Sequence, residues 1–160
     1  MKKRILIADS EPRCYSQLRR KLIANHYDVF HATNIEDAME HFDIRTADLL
    51  VVDLDVPGDR ISNELSRLAQ FNTSVRIIGV TERSAGSEIA VRERLDGVAE
   101  KPFALGNLIT FVHELLRDPS PSKEFRYLAP RMPGSHVSAP HRPYHVLEYP
   151  AAYCGWGINE

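Results

Sequence analysis

Four polar residues stand at the ends of aliphatic runs, and their types suit phosphoryl chemistry: Asp9, Asp53, Thr81 and Lys101. Asp53 closes the run Leu49-Leu50-Val51-Val52-Asp53, ahead of Leu54-Asp55-Val56-Pro57-Gly58. Such a run reads as a strand buried on both faces of a parallel sheet. The carboxyl end of such a strand is where open α/β sheets bind ligands. A carboxylate placed there can act as a nucleophile. Its attack on a dianionic phosphoryl donor is opposed by charge repulsion, which a hard divalent cation relieves. Mg²⁺ is usually held by one or two carboxylates plus waters and phosphate oxygens. Asp9 offers a second carboxylate, Lys101 a balancing charge and Thr81 a hydroxyl for the oxygens of the transferred group. Each residue also has an ordinary reading. Asp9 and Thr81 suit helix caps, Asp53 suits a turn, and Lys101 suits a solvated surface.

The elements that must position these groups follow from hydrophobic period. Ile5-Leu6-Ile7-Ala8 reads as a first buried strand, ending at Asp9-Ser10-Glu11-Pro12. Pro12 suits the first turn of a helix, capped by Asp9 or Ser10. Tyr15, Leu18, Leu22 and Ile23 then recur at helical spacing, with Arg19, Arg20 and Lys21 outside. Asp28–Ala32 reads as a second strand, and Ala38, Met39 and Phe42 mark a second helix. The third strand is 48–54. Ile61, Leu65 and Leu68 mark a third helix, Val75–Val80 a fourth strand ending at Thr81, and Ser84–Leu95 a weaker, polar fourth helix. Gly97–Glu100 reads as a fifth strand before Lys101-Pro102-Phe103. Leu105, Leu108, Ile109, Val112, Leu115 and Leu116 form the clearest helical stripe. Five strand–helix units in succession imply a parallel sheet covered on both faces. Right-handed crossovers limit its topology. The expected fold is α/β, flavodoxin-like (βα)5, doubly wound, with strand order 2-1-3-4-5. The switch-point crevice then lies between strands 1 and 3, at Asp9 and Asp53.

The expected domains are 1–118 and a proline-rich tail, 119–160, holding Pro119, Pro121, Pro130, Pro133, Pro140, Pro143 and Pro150. Its proline density favours a mobile or loosely docked segment. Tyr127, Tyr144, Tyr149 and Trp156 argue for partial docking, on the face of the fourth helix, fifth strand and last helix or on a neighbouring subunit. Formal net charge is -2, which gives no bulk basic surface for nucleic acid. The apolar start is too short for a signal peptide, and no stretch is long enough to span a membrane. Cys14 and Cys154 have no metal-like spacing. A reduced, cytoplasmic setting is the simplest reading. His136, His141 and His145 have no metal spacing either.

The chain from Lys3 to about Arg117 resembles the receiver domain of two-component response regulators, of the chemotaxis-regulator type. The resemblance rests on Ile5–Pro12, Leu50–Gly58, Ile77–Thr81 and Glu100–Phe103, in that order on five strand–helix units. It implies that Asp53 accepts the phosphoryl group. It implies that Asp9, Asp53 and the backbone carbonyl of Asp55 bind Mg²⁺. It implies that Thr81 and Lys101 hold the transferred group, with Thr81 moving on phosphorylation, and that the Lys101–Pro102 bond is cis. The donor would be a histidine kinase or phosphotransfer protein. Output would run through protein contacts with a downstream target, with a homodimer possible, since no DNA-binding or catalytic output module is seen after the last helix. Such a domain is a phosphoacceptor with at most autophosphatase activity, not an enzyme. Three positions depart from the family pattern. Ser10 replaces the second acid after strand 1, Glu82 replaces a small residue, and Val98 replaces the ring that rotates in many receivers. These departures motivate an alternative, a receiver-like interaction module that is not phosphorylated. A third reading takes Asp53-Leu54-Asp55 as the Asp-x-Asp of haloacid-dehalogenase-like phosphatases. That motif normally follows an early strand, and the later acidic metal pair is missing after Lys101.

Overall fold

The aliphatic runs form parallel strands because each is buried from both sides. The computed structural model describes residues 1–41, 43–55, 60–71, 74–82, 95–117, 126–128 and 145–146. The strands are β1 (Arg4–Ala8), β2 (Asp28–Ala32), β3 (Leu49–Asp53), β4 (Arg76–Thr81), β5 (Gly97–Glu100), β6 (Arg126–Leu128) and β7 (His145–Val146). The helices are α1 (Pro12–Ala24), α2 (Ile35–His41), α3 (Arg60–Phe71) and α4 (Leu105–Arg117), with a 3₁₀ turn at Ile44–Thr46. The sheet order is β2-β1-β3-β4-β5-β6-β7, with every pair parallel. The expected 2-1-3-4-5 core is present. The expected fourth helix, 84–95, falls almost wholly outside the described residues; of it, Leu95 is seen buried.

Alternation along the strands sends neighbours to opposite faces. Leu6, Ala8, Leu50 and Val52 pack with Ile35 and Ala38 of α2 and with Ile61, Leu65 and Leu68 of α3. Ile5, Ile7, Leu49 and Val51 pack on the other face with Leu18 and Leu22 of α1 and with Leu108, Phe111, Val112 and Leu115 of α4. Each fully buried aliphatic side chain contributes roughly 1.5–3 kcal/mol. The two clusters therefore hold β1 and β3, and what lies at their ends, rigidly in place.

Two aspartates pin the opposite, amino-terminal edge of the sheet. Asp48, just before β3, accepts the Arg4 N–H at 2.8 Å and the Lys3 ammonium at 2.7 Å. Asp96, just before β5, accepts the Ile77 N–H at 2.7 Å and the Arg76 guanidinium at 2.7 Å. Each also donates its own N–H to the neighbouring strand, Asp48 to Arg4 and Asp96 to Ile77. The repeated device sets the register from which the far strand ends inherit their levels.

Two features differ from the expectations. The amino-terminal cap of α1 is Glu11, not Asp9 or Ser10, and its side chain makes no capping bond. Pro12 occupies the first helical turn and places the cap one residue before itself. Asp9 instead stays level with the sheet, donating its N–H to the Ala32 carbonyl. The second feature lies in the tail. Residues 126–128 pair with Gly97–Ala99 at the edge of β5, and 145–146 pair with 126–127. Leu128 is 1% exposed and joins the cluster under α1 and α4. Tyr144, Tyr149 and Trp156 lie outside the described residues.

Gly79 of β4 links packing to the site. A Cβ there would lie 2.5 Å from Leu54 Cδ1 and 3.1 Å from Leu95 Cδ1. The missing side chain lets Leu54 lie across β4, with its N–H donated to the Val80 carbonyl at 2.8 Å. Leu54 stands between Asp53 and Asp55. Gly79→Val therefore overpacks this point and costs about 1–3 kcal/mol, read as a lower midpoint in urea unfolding. An unchanged midpoint would mean that Leu54 and Leu95 move aside freely.

Candidate functional site

Register brings the strand ends together. Ala8 pairs with Val52, so Asp9 and Asp53 leave adjacent strands at the same level. Asp53 pairs with Val80, and Thr81 pairs with Glu100. Lys101 follows directly and donates its N–H to the Thr81 carbonyl at 2.7 Å. The four residues singled out from sequence therefore meet at one edge of the sheet. The Lys101–Pro102 bond is cis.

Asp9 is 7% exposed. One carboxylate oxygen accepts the Glu11 N–H at 2.7 Å, closing a local turn of the kind aspartate favours. Burial pushes its carboxyl above the usual range. The Glu11 N–H bond opposes this, the nearby Asp53 charge adds to it, and the Lys101 ammonium works against it. Two carboxylates thus share a poorly solvated corner.

Asp53 and Asp55 are partly buried. Asp53 Oδ1 accepts the Asp55 N–H at 2.9 Å. Its other oxygen lies 3.6 Å from Lys101 Nζ, and the Lys101 side chain is 11% exposed. The Asp55 side chain turns into the same corner. Its Oδ1 accepts the Thr81 hydroxyl at 2.7 Å, and its Oδ2 accepts the Glu82 N–H at 2.7 Å. Oδ2 also lies 3.8 Å from Lys101 Nζ. The receiver resemblance gives Asp55 a backbone role alone, and its side chain has a role only in the phosphatase-like reading of Asp53-Leu54-Asp55. The two-residue repeat of an extended chain was the available signal, because residues i and i+2 face the same way. Leu54, between them, goes into the core.

Two further residues support Asp9. His31 of β2 places Nε2 2.8 Å from the Asp9 carbonyl oxygen. That oxygen only accepts, so Nε2 carries the hydrogen. The ring stacks on Tyr15 of α1 at 3.5 Å between centroids and 20° between planes. Strand 2 and helix 1 therefore both brace the Asp9 turn. The three departures from pattern also have clear places. Ser10 is exposed, Glu82 is exposed and contributes its N–H, and Val98 is 4% exposed within the core.

The family model for the response regulator receiver domain matches residues 5–113. The sensory transduction protein BceR of Halalkalibacterium halodurans is 24% identical over 116 residues, 71% of this chain and 50% of that protein. The chain thus spans about half the length of the curated relative it matches. Among solved structures, the response regulator protein TrrA of Thermotoga maritima, in complex with Mg²⁺-BeF, is 26% identical with a TM-score of 0.62, over 71% of this chain and 98% of that one. A CheY-like receiver domain protein of Methanospirillum hungatei has a TM-score of 0.66 at 20% identity, over 74% of this chain and 97% of that one, and shows the fold alone. The matched span takes in more than half of the sequence, with Asp9, Asp53, Thr81 and Lys101 inside it, and the chain belongs to the response regulator receiver family.

Proposed function

We propose that the domain accepts a phosphoryl group on Asp53 from a histidine kinase or phosphotransfer protein and signals through protein contacts. The observation that carries this reading is the position of the Asp53 carboxylate. It ends a buried strand, level with Asp9, with Lys101 Nζ 3.6 Å from one oxygen. The Asp55 N–H holds the other oxygen, which fixes the carboxylate plane. In the transfer, an Asp53 oxygen forms the bond to phosphorus as the donor's bond to phosphorus breaks, and its electron pair leaves with the donor. Lys101 offsets the charge gathering on the phosphoryl oxygens. A phosphoacceptor of this kind is not a classical enzyme, and the family is generally of that type.

Mg²⁺ fits the donors present. Asp9 and Asp53 supply two hard carboxylates, and the burial and mutual repulsion that raise the Asp9 pKa are what a cation relieves. Among the described residues no group of three or more His, Cys, Asp or Glu side chains is arranged for a metal. Two carboxylates are enough for an ion that keeps several waters. Asp9, Asp53 and the Asp55 carbonyl would hold it, and the ion would neutralise charge between the carboxylates and the incoming phosphoryl group. The Mg²⁺-BeF complex of the Thermotoga maritima relative supports this choice of cation. No helix among the described residues is long and apolar enough to cross a membrane. The proposed setting is cytoplasmic, with a downstream protein as target and a homodimer as a possible assembly.

Three outcomes follow from this reading. Incubation with acetyl phosphate and Mg²⁺ adds one phosphoryl mass to the wild type and none to Asp53→Asn, whose unfolding midpoint barely changes. A labelled Asp53→Asn protein removes Asp53 from the role.

Burial and the Asp53 charge hold the folded pKa of Asp9 above its unfolded value. The folded state then binds this proton more tightly, so stability falls as pH rises through the interval between the two values. Asn has no proton to lose. In EDTA, Asp9→Asn is expected to raise the unfolding temperature by a few degrees at neutral pH, with the gain shrinking as pH drops through that interval. Mg²⁺ should stabilise the wild type and not the variant. An Asp9→Asn protein less stable than wild type at neutral pH would contradict this.

Ser10 leaves one carboxylate fewer beside the ion than the usual pattern. Ser10→Asp should tighten Mg²⁺ binding about tenfold, if one added charge contributes on the order of 1 kcal/mol near a solvated site. An unchanged titration places residue 10 away from the ion.

A further inference from the structure

Three donors converge beside Asp53: the Thr81 hydroxyl, the Glu82 backbone N–H and the Lys101 ammonium. A hydroxyl, an N–H and a cation aimed at one point form an anion seat. The seat is already filled from within the chain. Asp55 Oδ1 takes the Thr81 hydrogen at 2.7 Å, and Asp55 Oδ2 takes the Glu82 hydrogen at 2.7 Å. Lys101 Nζ lies between the two carboxylates, 3.6 Å from Asp53 Oδ2 and 3.8 Å from Asp55 Oδ2.

We propose that the Asp55 carboxylate is a tethered stand-in for the phosphoryl group, seated on Thr81, Glu82 and Lys101, and that phosphorylation of Asp53 must displace it. The proposal rests on reading Asp53 as the phosphoacceptor. A hydroxyl and an N–H each have one hydrogen to give. They cannot serve a phosphoryl oxygen at full strength while they serve Asp55. Lys101 is likewise shared, and a phosphoryl group on Asp53 would face the Asp55 charge across a few ångströms of poorly solvated space.

Two consequences follow. The seated carboxylate opposes phosphoryl transfer, because the incoming group meets both an occupied seat and a like charge. It also draws Thr81 and the chain at Glu82 toward the site before any phosphoryl group arrives. A receiver signals by shifting its population toward the arrangement in which the seat is filled. Here a side chain of the domain itself supplies that bias. Asp55 has this reach because Leu54 is locked in the core over Gly79, which turns the residues on either side of it into the same corner.

The test uses the full chain in two measurements. Labelling of Asp53 by acetyl phosphate with Mg²⁺ is followed by intact mass for wild type, Asp55→Ala and Asp55→Asn. Hydrogen exchange at the Glu82 amide is followed by NMR in the same proteins without any phosphoryl donor. Emptying the seat is expected to speed labelling of Asp55→Ala about tenfold or more, and to speed exchange at Glu82 by a similar factor. Asp55→Asn keeps the volume and loses the charge, so it should fall between the two and serves if the alanine variant fails to fold. Labelling and exchange both at the wild-type rate would overturn the proposal, as would unchanged exchange alone, whatever the labelling shows. A wild type that is labelled, with variants labelled at the same rate and exchanging faster, would also overturn it, because the seat would then not oppose transfer. If no protein is labelled while Glu82 exchanges faster in the variants, the phosphoacceptor reading fails. Asp55 then stands as the permanent occupant of the seat.

Discussion

The site depends on one electrostatic constraint, the placing of two carboxylates side by side at the ends of paired buried strands. Asp9 and Asp53 are level because β1 and β3 pair in register, with Asp48, just before β3, tied to Lys3 and Arg4. The cost of this proximity is visible in Asp9, whose carboxyl is raised by burial and then by Asp53. The neighbouring positive charge comes from Lys101, at the end of β5 two strands away. Sheet order, register and the pinning of the opposite edge by Asp48 and Asp96 therefore serve the same end. They hold two like charges side by side at one edge of the sheet, with a lysine beside them.

A local consequence of that packing is the direction of Asp55. Once Leu54 is committed to the core, the chain continues its alternation and brings a third carboxylate into the corner. Lys101 then lies near two acids, and the Thr81 hydroxyl is engaged by one of them. The departures at Ser10 and Val98 carry less structural consequence. Ser10 is exposed beside the Asp9 turn, and Val98 is buried in the core cluster that also holds Leu54 and Leu95.

Most of the fold was legible in the sequence because buried parallel strands leave continuous aliphatic runs and amphipathic helices leave a regular stripe. Asp28–Ala32 and Gly97–Glu100 were read at their observed bounds, and the observed 2-1-3-4-5 order is the expected one among the few that alternation and right-handed crossovers allow. The strand-end residues were legible for the same reason, since a polar residue ending a buried run has few places to go. Three things were not. The cap of α1 was misplaced because Pro12 fixes it more firmly than the cap preference of Asp9 does. The strands at 126–128 and 145–146 are too short to show a period, and pairing dictates their state, of 126–128 with β5 and of 145–146 with 126–127. The contacts of the Asp55 side chain were not legible because they depend on where Thr81 and Glu82 stand, residues far away in sequence.

The most direct measurement is a crystal structure of the full chain with Mg²⁺ and fluoroberyllate, which stands in for the phosphoryl group. The fluoroberyllate is expected on an Asp53 oxygen, with Mg²⁺ held by the carboxylates of Asp9 and Asp53, Thr81 and Lys101 turned to the fluorines, and the Asp55 carboxylate moved off Thr81. A complex with the ion elsewhere, or with Asp55 still bonded to Thr81 and Glu82 beside bound fluoroberyllate, would contradict it.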